Sequence, residues 1–136
     1  MNTLLEAYKN TKYIVLKPTL TIEIGKLNQD LDKLLLKHNS NEWAFITAYN
    51  PYSRVLTEEE NKVLHNKLKE LTEKYVTFEG YGVGQDPTWE PELSLFIIGI
   101  MKVEASKIGK KFEQNAIVYG ELNNSPELII LNEDLI

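Results

Sequence analysis

Two runs of almost unbroken apolar sequence, residues 43–49 and 93–100, constrain the fold of this chain more than any other feature. A strand that is covered on both faces has this pattern, whereas a half-exposed strand alternates apolar and polar residues. We therefore expect both runs to be buried strands of one sheet. The chain has 136 residues, the common size of one domain, and we predict a single domain over residues 1–136.

From residue 43 onward the predicted elements follow the order strand, helix, strand, strand, helix, strand. This order is the split-βαβ pattern of ferredoxin-like folds. The first of these helices begins at Thr57, which forms a capping box with Glu60 three residues later. The second is predicted over residues 103–112 from its apolar stripe of helical spacing.

The segments outside this pattern are predicted to extend the sheet. Residues 20–24 alternate apolar and polar side chains, as a half-solvated antiparallel strand does, and they follow a strand at 13–16. An amphipathic helix is predicted over 27–38, and a closing hairpin around 123–126. The resulting prediction is an α+β fold with a mainly antiparallel sheet and a ferredoxin-like split-βαβ core. An N-terminal hairpin plus helix and a C-terminal strand extend that core.

The composition excludes several kinds of site and partner. Cysteine is absent, so no thiol nucleophile or zinc–thiolate centre exists, and two histidines far apart in sequence disfavour a His-rich metal site. The net charge of −5 argues against nucleic acid and anionic membranes as partners. The sequence shows no signal peptide and no apolar run long enough to span a membrane. We expect a cytoplasmic protein without a cofactor, and its oligomeric state stays open.

The predicted topology brings polar segments to one edge of the sheet. In a split-βαβ sheet the two strands that flank each crossover helix run parallel to each other. The strands that flank the first crossover helix therefore have their carboxyl ends at one edge of the sheet. The strands that flank the second crossover helix have their amino ends at that same edge. Four segments therefore meet at this edge: residues 49–51, the start of the helix at Thr57, residues 82–92 and residues 114–115. We predict a ligand site there, formed by Asn50, Asn61, Gly82, Gly84, Asp86, Trp89, Gln114 and Asn115.

Asn61 lies on the apolar stripe of the helix that begins at Thr57, three residues before Leu64 and seven before Leu68. A buried amide without partners costs about 1–3 kcal/mol, so this side chain needs partners. Either it joins an internal network that holds a loop against the helix, or it recognises a ligand. His65, beside the same stripe, is predicted to be solvated.

The loop at residues 86–92 combines two prolines with Trp89 and three carboxylates. Asp86, Glu90 and Glu92 are the candidate catalytic residues, because one of them could act as a general base. Their oxygens are also the ligand type that Mg²⁺ and Ca²⁺ prefer, although no metal is assigned. The alternative is a solvated acidic loop in which Trp89 is a packing plug.

Glycines at positions 80, 82 and 84 invite comparison with a phosphate-binding loop, but the Lys and Ser/Thr that follow a P-loop are missing. We expect these glycines to permit a bulge or positive φ angles within a strand at 76–83. Their backbone N–H groups remain candidates for cradling an anion.

Four ordered motifs resemble those of a known family. They are WAFITAYNP at 43–51, EN at 60–61, GVGQDP with WEPE over 82–92, and FEQNA at 112–116. In this combination the chain resembles the small bacterial proteins grouped as domain of unknown function 3293, over residues 13–131. The resemblance implies a stand-alone domain with a shared fold, and it brings no established activity.

Three functions fit these features. The first is binding of a small polar ligand, nucleotide- or sugar-like, at the sheet edge, where the amides supply hydrogen bonds and Trp89 supplies a stacking face. The second is a protein-interaction module of the immunity or inhibitor type, whose acidic surface, with Glu58 and Glu59, meets a basic partner. The third is a carboxylate- or metal-dependent hydrolase that uses Asp86, Glu90 or Glu92.

Overall fold

Seven strands form one sheet in the computed structural model, which describes residues 3–135. The strands are β1 (Lys12–Val15), β2 (Leu20–Ile22), β3 (Glu42–Thr47), β4 (Val76–Val83), β5 (Glu92–Ile98), β6 (Ala116–Glu121) and β7 (Glu127–Ile130). The helices are α1 (Thr3–Lys9), α2 (Gln29–Lys37), α3 (Glu58–Leu71) and α4 (Lys102–Lys111), with 3-10 turns at Pro51–Ser53 and Glu133–Leu135. The prediction of a mixed α and β fold is confirmed.

The strands lie in the order β2-β1-β4-β5-β3-β6-β7, and every pairing between described strands is antiparallel. The N-terminal hairpin extends the sheet beyond β4, and β7 extends it beyond β6, as predicted. Because β5 lies between β3 and β4, these two strands run parallel without touching. The carboxyl ends of β3 and β4 therefore share one sheet edge with the amino ends of β5 and β6.

Side chains cap the starts of α3 and α2. Thr57 Oγ1 accepts the Glu60 N–H at 3.1 Å, and Glu60 Oε1 accepts the Thr57 N–H at 3.1 Å, so the capping box of α3 is confirmed. Asn28 caps α2 in a similar way, since its Oδ1 accepts the Leu31 N–H at 3.0 Å. Each cap satisfies backbone groups that a helix end leaves unpaired.

The sheet separates two apolar cores, one on each face. The first contains Trp43, Phe45 and Phe96 with the buried leucines of α2. The second contains Ile46 and Leu95 with the buried residues of α4. Because alternate residues point to opposite faces and each face has a core, β3 is apolar from Trp43 to Ile46 and β5 from Leu95 to Ile98. Both are central strands, as predicted.

The glycines at 80, 82 and 84 show neither the predicted bulge nor a positive φ, and Gly80 instead permits close packing. The pairing of β4 with β5 runs without interruption from Val76 to Gly82, and the glycines with positive φ in the described chain are Gly25 and Gly99. A Cβ at Gly80 would overlap the carbonyl oxygen of Ile14 on β1. Glycine at this position therefore allows β1 to pair closely with β4.

His65 is buried, so the prediction that it is solvated is wrong. Only 3% of the residue is exposed, and its Nε2 lies 2.8 Å from Glu79 Oε2 on β4. The His65 and Tyr49 rings also lie nearly perpendicular to each other, with their centroids 6.4 Å apart. The partner that buries this histidine comes from a strand 14 residues away, which the periodicity of the helix does not reveal.

No helix described between residues 3 and 135 has both the length and the apolar character needed to cross a membrane.

Candidate functional site

A cavity of 720 Å³ opens at the sheet edge where β3 and β4 end and β5 and β6 begin. Helix α1 and the loops after β3 and β4 also contribute to its wall. The polar side chains of the lining include Tyr8, Thr47, Asn50, Ser53, Glu58, Asn61, Glu90, Glu92, Ser94 and Gln114. The aromatic part of the lining comprises Tyr13, Phe45, Tyr49 and Trp89 together with Tyr8. We call this space the edge cavity.

Two hydrogen bonds join Asn50 and Asn61 in the wall of the edge cavity, and we call this pair the clamp. Asn61 Oδ1 accepts the backbone N–H of Asn50 at 2.9 Å, and Asn61 Nδ2 donates to Asn50 Oδ1 at 2.9 Å. Asn50 Oδ1 also accepts the Leu56 N–H at 3.0 Å. Asn61 is 3% exposed, so the prediction that it lies on the buried face of the helix is confirmed. Its partners belong to the loop, as the internal-network alternative requires.

The loop after β3 has a strained backbone. Asn50, Tyr52 and Ser53 have φ angles of 48°, 50° and 62°. Residues other than glycine enter this left-handed region at a cost of about 1–3 kcal/mol each, and such residues cluster at functional sites. The Tyr52 N–H donates to the Glu113 carbonyl at 2.7 Å, which fixes the loop to the segment before β6.

Two further amides hold the same segments together. Gln114 Nε2 donates to the Tyr49 carbonyl at 3.0 Å. Asn115 Nδ2 donates to Ser53 Oγ at 2.9 Å and to the Tyr8 hydroxyl at 3.3 Å. Gln114 lines the edge cavity, whereas Asn115 lies behind the lining. The predicted amides are thus brought together, and their hydrogen bonds go largely to the protein.

Glu92, the first residue of β5, is a largely buried carboxylate in the cavity lining. Its Oε2 accepts a hydrogen bond from Asn50 Nδ2 at 3.0 Å. Its Oε1 has no hydrogen-bond partner within residues 3–135. Burial raises the pKa of Glu92, and the hydrogen bond from Asn50 partly opposes that increase. Glu92 is therefore the candidate carboxylate best placed for chemistry in the cavity.

The other two candidate carboxylates differ from Glu92. Glu90 lines the edge cavity but is exposed. Asp86 does not belong to the lining, and its Oδ1 accepts both the Thr88 hydroxyl at 2.7 Å and the Thr88 N–H at 2.9 Å. These hydrogen bonds, from the side chain first and then from the backbone, lower the pKa of Asp86. Asp86 thus shapes the turn that carries Trp89.

Trp89 and the predicted glycines lie at the cavity lining. Trp89 is 58% exposed, so it is not the fully packed plug that one alternative required. An added Cβ at Gly84 would lie 3.7 Å from the Trp89 ring, in ordinary contact. Gly82 leaves more room, because the nearest atoms to an added Cβ are on Thr11 and Tyr13 at 3.8 and 3.9 Å. Gly84 therefore lies beside the tryptophan, whereas Gly82 lies beside Thr11 and Tyr13.

Two tyrosines at the edge cavity were missed by sequence reasoning. Tyr8 lies on α1 and Tyr13 on β1, and the Tyr13 hydroxyl donates to the Tyr8 carbonyl at 2.7 Å. Burial is the main cause that raises the pKa of both phenols, and the nearby Glu92 carboxylate adds to it. In the sequence, Leu4, Leu5 and Tyr8 have the spacing of one buried helical face. That spacing indicates a helix that packs on the protein, but it does not indicate which edge of the sheet the helix packs against.

Metal binding gains no geometric support. Within residues 3–135, no group of three or more His, Asp or Glu side chains is arranged so that it could hold a metal ion. Asp86 and Glu92 also differ in exposure, since Asp86 is exposed and Glu92 is partly buried.

A second cavity, of 500 Å³, lies against α3 and the end of α4. Its charged lining residues are Lys67, Glu70, Lys111 and Glu113, all of them exposed. No buried ionisable side chain lines it. The edge cavity is therefore the better candidate for a functional site.

The comparisons with known proteins identify a family and no individual relative. No curated protein and no solved structure matches this chain. A family model described as "Protein of unknown function (DUF3293)" matches residues 46–117, more than half of the 136 residues. The match runs from β3 into β6 and includes the clamp, the Trp89 loop and Glu92. The chain belongs to this family, DUF3293.

Proposed function

We propose that the protein binds a small polar molecule in the edge cavity. The observation that carries this proposal is a cavity of 720 Å³ that contains one largely buried carboxylate, Glu92, with an oxygen that no described residue hydrogen-bonds. Ligand sites are typically clefts of about 300–1,000 Å³ with apolar walls and a few placed polar groups. The aromatic walls and the strained loop at Asn50, Tyr52 and Ser53 support the same proposal.

The amides have a different role from the one expected from the sequence. Asn50 and Asn61 satisfy each other, and Asn115 is engaged by Ser53 and Tyr8. We therefore assign these amides to the wall, where they hold loops in place. Direct contacts to the ligand then come from Glu92, Glu90 and the Trp89 ring.

The test is a thermal-shift panel of small polar compounds on two matched variants. Gly82→Leu should fill the cavity without a backbone clash, because a Cβ there has only ordinary contacts. Thr21→Leu, on the exposed side of β2, is the control. Saturation at 100 times Kd adds about 2.7 kcal/mol of stability. At least one compound should raise the melting temperature of the wild type and of Thr21→Leu but not of Gly82→Leu. A panel without any shift, or an equal shift in all three proteins, contradicts the proposal.

Acid–base catalysis by Glu92 is a second candidate function, favoured by the raised pKa of this carboxyl group. A hydrolase of this kind needs a carboxyl group that can take up and release a proton. Glu92→Gln should therefore abolish turnover while the protein still folds. A hydrolase-substrate screen of the wild type against this variant tests the candidate. Equal turnover in both proteins contradicts it.

A protein partner with a basic surface is the alternative use of the same region. Val55 and Trp89 are 90% and 58% exposed at the cavity lining, beside Glu90. A partner that inserts a basic side chain there would cover these apolar groups. Size-exclusion chromatography of co-expressed complexes tests it, and a Trp89→Ala variant should lose the complex.

Two finer assignments also stay proposals. We infer a ferredoxin-like split-βαβ core, supported by the order β4-β5-β3-β6 and by crossovers through α3 and α4. Right-handed crossovers in a solved structure would agree with it, and left-handed crossovers would contradict it. A cytoplasmic location is tested by cell fractionation of the native protein.

A further inference from the structure

The charged side chains that line the edge cavity are all acidic. They are Glu58, Glu90 and Glu92, and no Lys, Arg or His belongs to the lining within the described chain. An anionic ligand such as a phosphate would face these carboxylates without a compensating positive charge. A cation would be attracted by them, and most strongly by Glu92, because burial weakens the screening of its charge by water.

The hydrogen-bonding groups of the cavity favour a ligand that donates. Glu92 Oε1 is an acceptor with no partner in residues 3–135. Thr47 and Ser94 both give their hydroxyl hydrogens to backbone carbonyls, of Leu93 and of Glu92 respectively. The Thr47 oxygen already accepts the Tyr49 N–H at 3.1 Å, so of these two hydroxyls Ser94 is the one that presents oxygen lone pairs to the cavity. One N–H of Asn61 donates to Asn50 inside the wall, and the two N–H groups of Asn115 donate to Ser53 and Tyr8.

The aromatic walls fit the same ligand class. Tyr8, Tyr13 and Trp89 all line the cavity, and the negative faces of aromatic rings attract cations within about 6 Å of the ring centre. An attraction of this kind is worth about 0.5–2 kcal/mol, depending on how dry the site is.

We propose that the ligand of the edge cavity is a small organic cation with N–H donors, an alkylammonium or guanidinium compound. This inference rests on the proposed function. The cation pairs with Glu92, its N–H groups donate to the free oxygen of that carboxylate, and its alkyl part lies against the aromatic walls. Glu92 is then ionised in the complex, since a bound cation favours the charged form of the carboxyl group.

The test is isothermal titration calorimetry at pH 8 with three matched four-carbon probes: butane-1,4-diamine, butane-1,4-diol and butanedioate. AMP and glucose are included as an anionic and a neutral alternative. The diamine should bind at least about tenfold more tightly than the diol, because hydrogen bonds to charged groups contribute about 1.5–3 kcal/mol. Butanedioate and AMP should give no saturable heat.

Variants locate the binding. Glu92→Gln should weaken diamine binding about tenfold or more. Glu121→Gln removes an exposed carboxylate at the other end of β6 and should change the affinity by less than about twofold. Trp89→Ala should also weaken binding, and because Trp89 is exposed this variant should fold normally, as checked by circular dichroism.

The outcomes separate the two proposals. If AMP, glucose, the diol or butanedioate binds as tightly as the diamine or more tightly, the cation inference is wrong while the proposed function stands. If none of the five compounds binds, the cation inference is wrong, and the thermal-shift panel with Gly82→Leu then decides the proposed function independently. Diamine binding that is unchanged in Glu92→Gln also overturns the inference.

Discussion

Asn61, on the first turn of α3, holds Asn50 through two hydrogen bonds, one to its backbone N–H and one to its side-chain oxygen, both of 2.9 Å. Asn50 in turn donates to Glu92 at 3.0 Å. A buried helix residue therefore positions the one carboxylate that lies largely buried in the edge cavity. The clamp links the stability of the wall to the orientation of the candidate ligand group.

Removing the clamp should destabilise the protein. Asn61→Ala leaves the Asn50 N–H and Oδ1 with fewer partners in a buried setting, and we expect a loss of about 1–3 kcal/mol in the free energy of unfolding. Urea denaturation measures it. Asn66→Ala, on the exposed side of the same helix, should change this free energy by less than about 0.5 kcal/mol. Equal losses in the two variants would show that the clamp contributes nothing.

The charge of Glu92 should make stability depend on pH. Burial raises its pKa above the ordinary value of 4.5, so the folded protein binds the proton more tightly than the unfolded chain. The free energy of unfolding therefore falls as pH rises from 4.5 through the folded pKa, and then levels off. Glu92→Gln cannot ionise, and its side-chain oxygen can still accept from Asn50.

The stability of Glu92→Gln relative to the wild type should therefore increase between about pH 4 and pH 8. Urea titrations of both proteins at several pH values measure this difference. Glu121→Gln is the control, because it shows how stability changes with pH when one exposed carboxylate is removed. A difference between Glu92→Gln and the wild type that stays constant across the range contradicts the assignment of Glu92 as a buried acid.

Two glycines of β4 should respond differently to the same substitution. A Cβ at Gly80 would overlap the Ile14 carbonyl, so Gly80→Ala should cost about 1–3 kcal/mol of stability, as overpacking does. Gly82→Ala should cost less than about 0.5 kcal/mol or stabilise the strand, because its Cβ meets ordinary contacts at 3.8 Å or more. Thermal denaturation of the pair measures this, and a reversed order would refute the packing of β1 against β4.

The contribution of the α3 capping box to the free energy of unfolding should be measurable without changing a residue that lines the cavity. Thr57→Ala removes the oxygen that accepts the Glu60 N–H, and we expect a loss of about 1 kcal/mol in the free energy of unfolding. Thr57→Ser keeps that oxygen and should retain most of the stability. Chemical denaturation compares the three proteins, and a loss of the same size in the serine variant would exclude the capping explanation.

Local patterns predicted most of the fold. The unbroken apolar runs identified β3 and β5, and the Thr57–Glu60 spacing identified the start of α3. The spacing of Asn61 from Leu68 predicted its burial. Such features depend on neighbours within one or two turns of helix, so a sequence pattern can carry them.

The parts that sequence could not predict depend on contacts between distant segments. His65 is buried and contacts Glu79 of β4, and Tyr8 reaches the cavity because α1 packs against this edge. Six of the eight predicted ligand-site residues line the edge cavity, and Asp86 and Asn115 do not. Which of these residues have free hydrogen-bonding groups depends on their partners. Asn115 and Asp86 are engaged by neighbours, whereas one oxygen of Glu92 has no partner in the part of the chain that the structure describes.

The most direct test of the central claim, that the edge cavity is a ligand site, is NMR chemical-shift mapping with whichever compound gives the largest thermal shift. Amide signals of Gly82, Trp89 and Glu92 should move in a saturable way, together with the indole N–H of Trp89. Signals of β2 and α2 should stay in place. Saturable shifts confined to another surface, or no shifts at a concentration that stabilises the protein, would contradict the account.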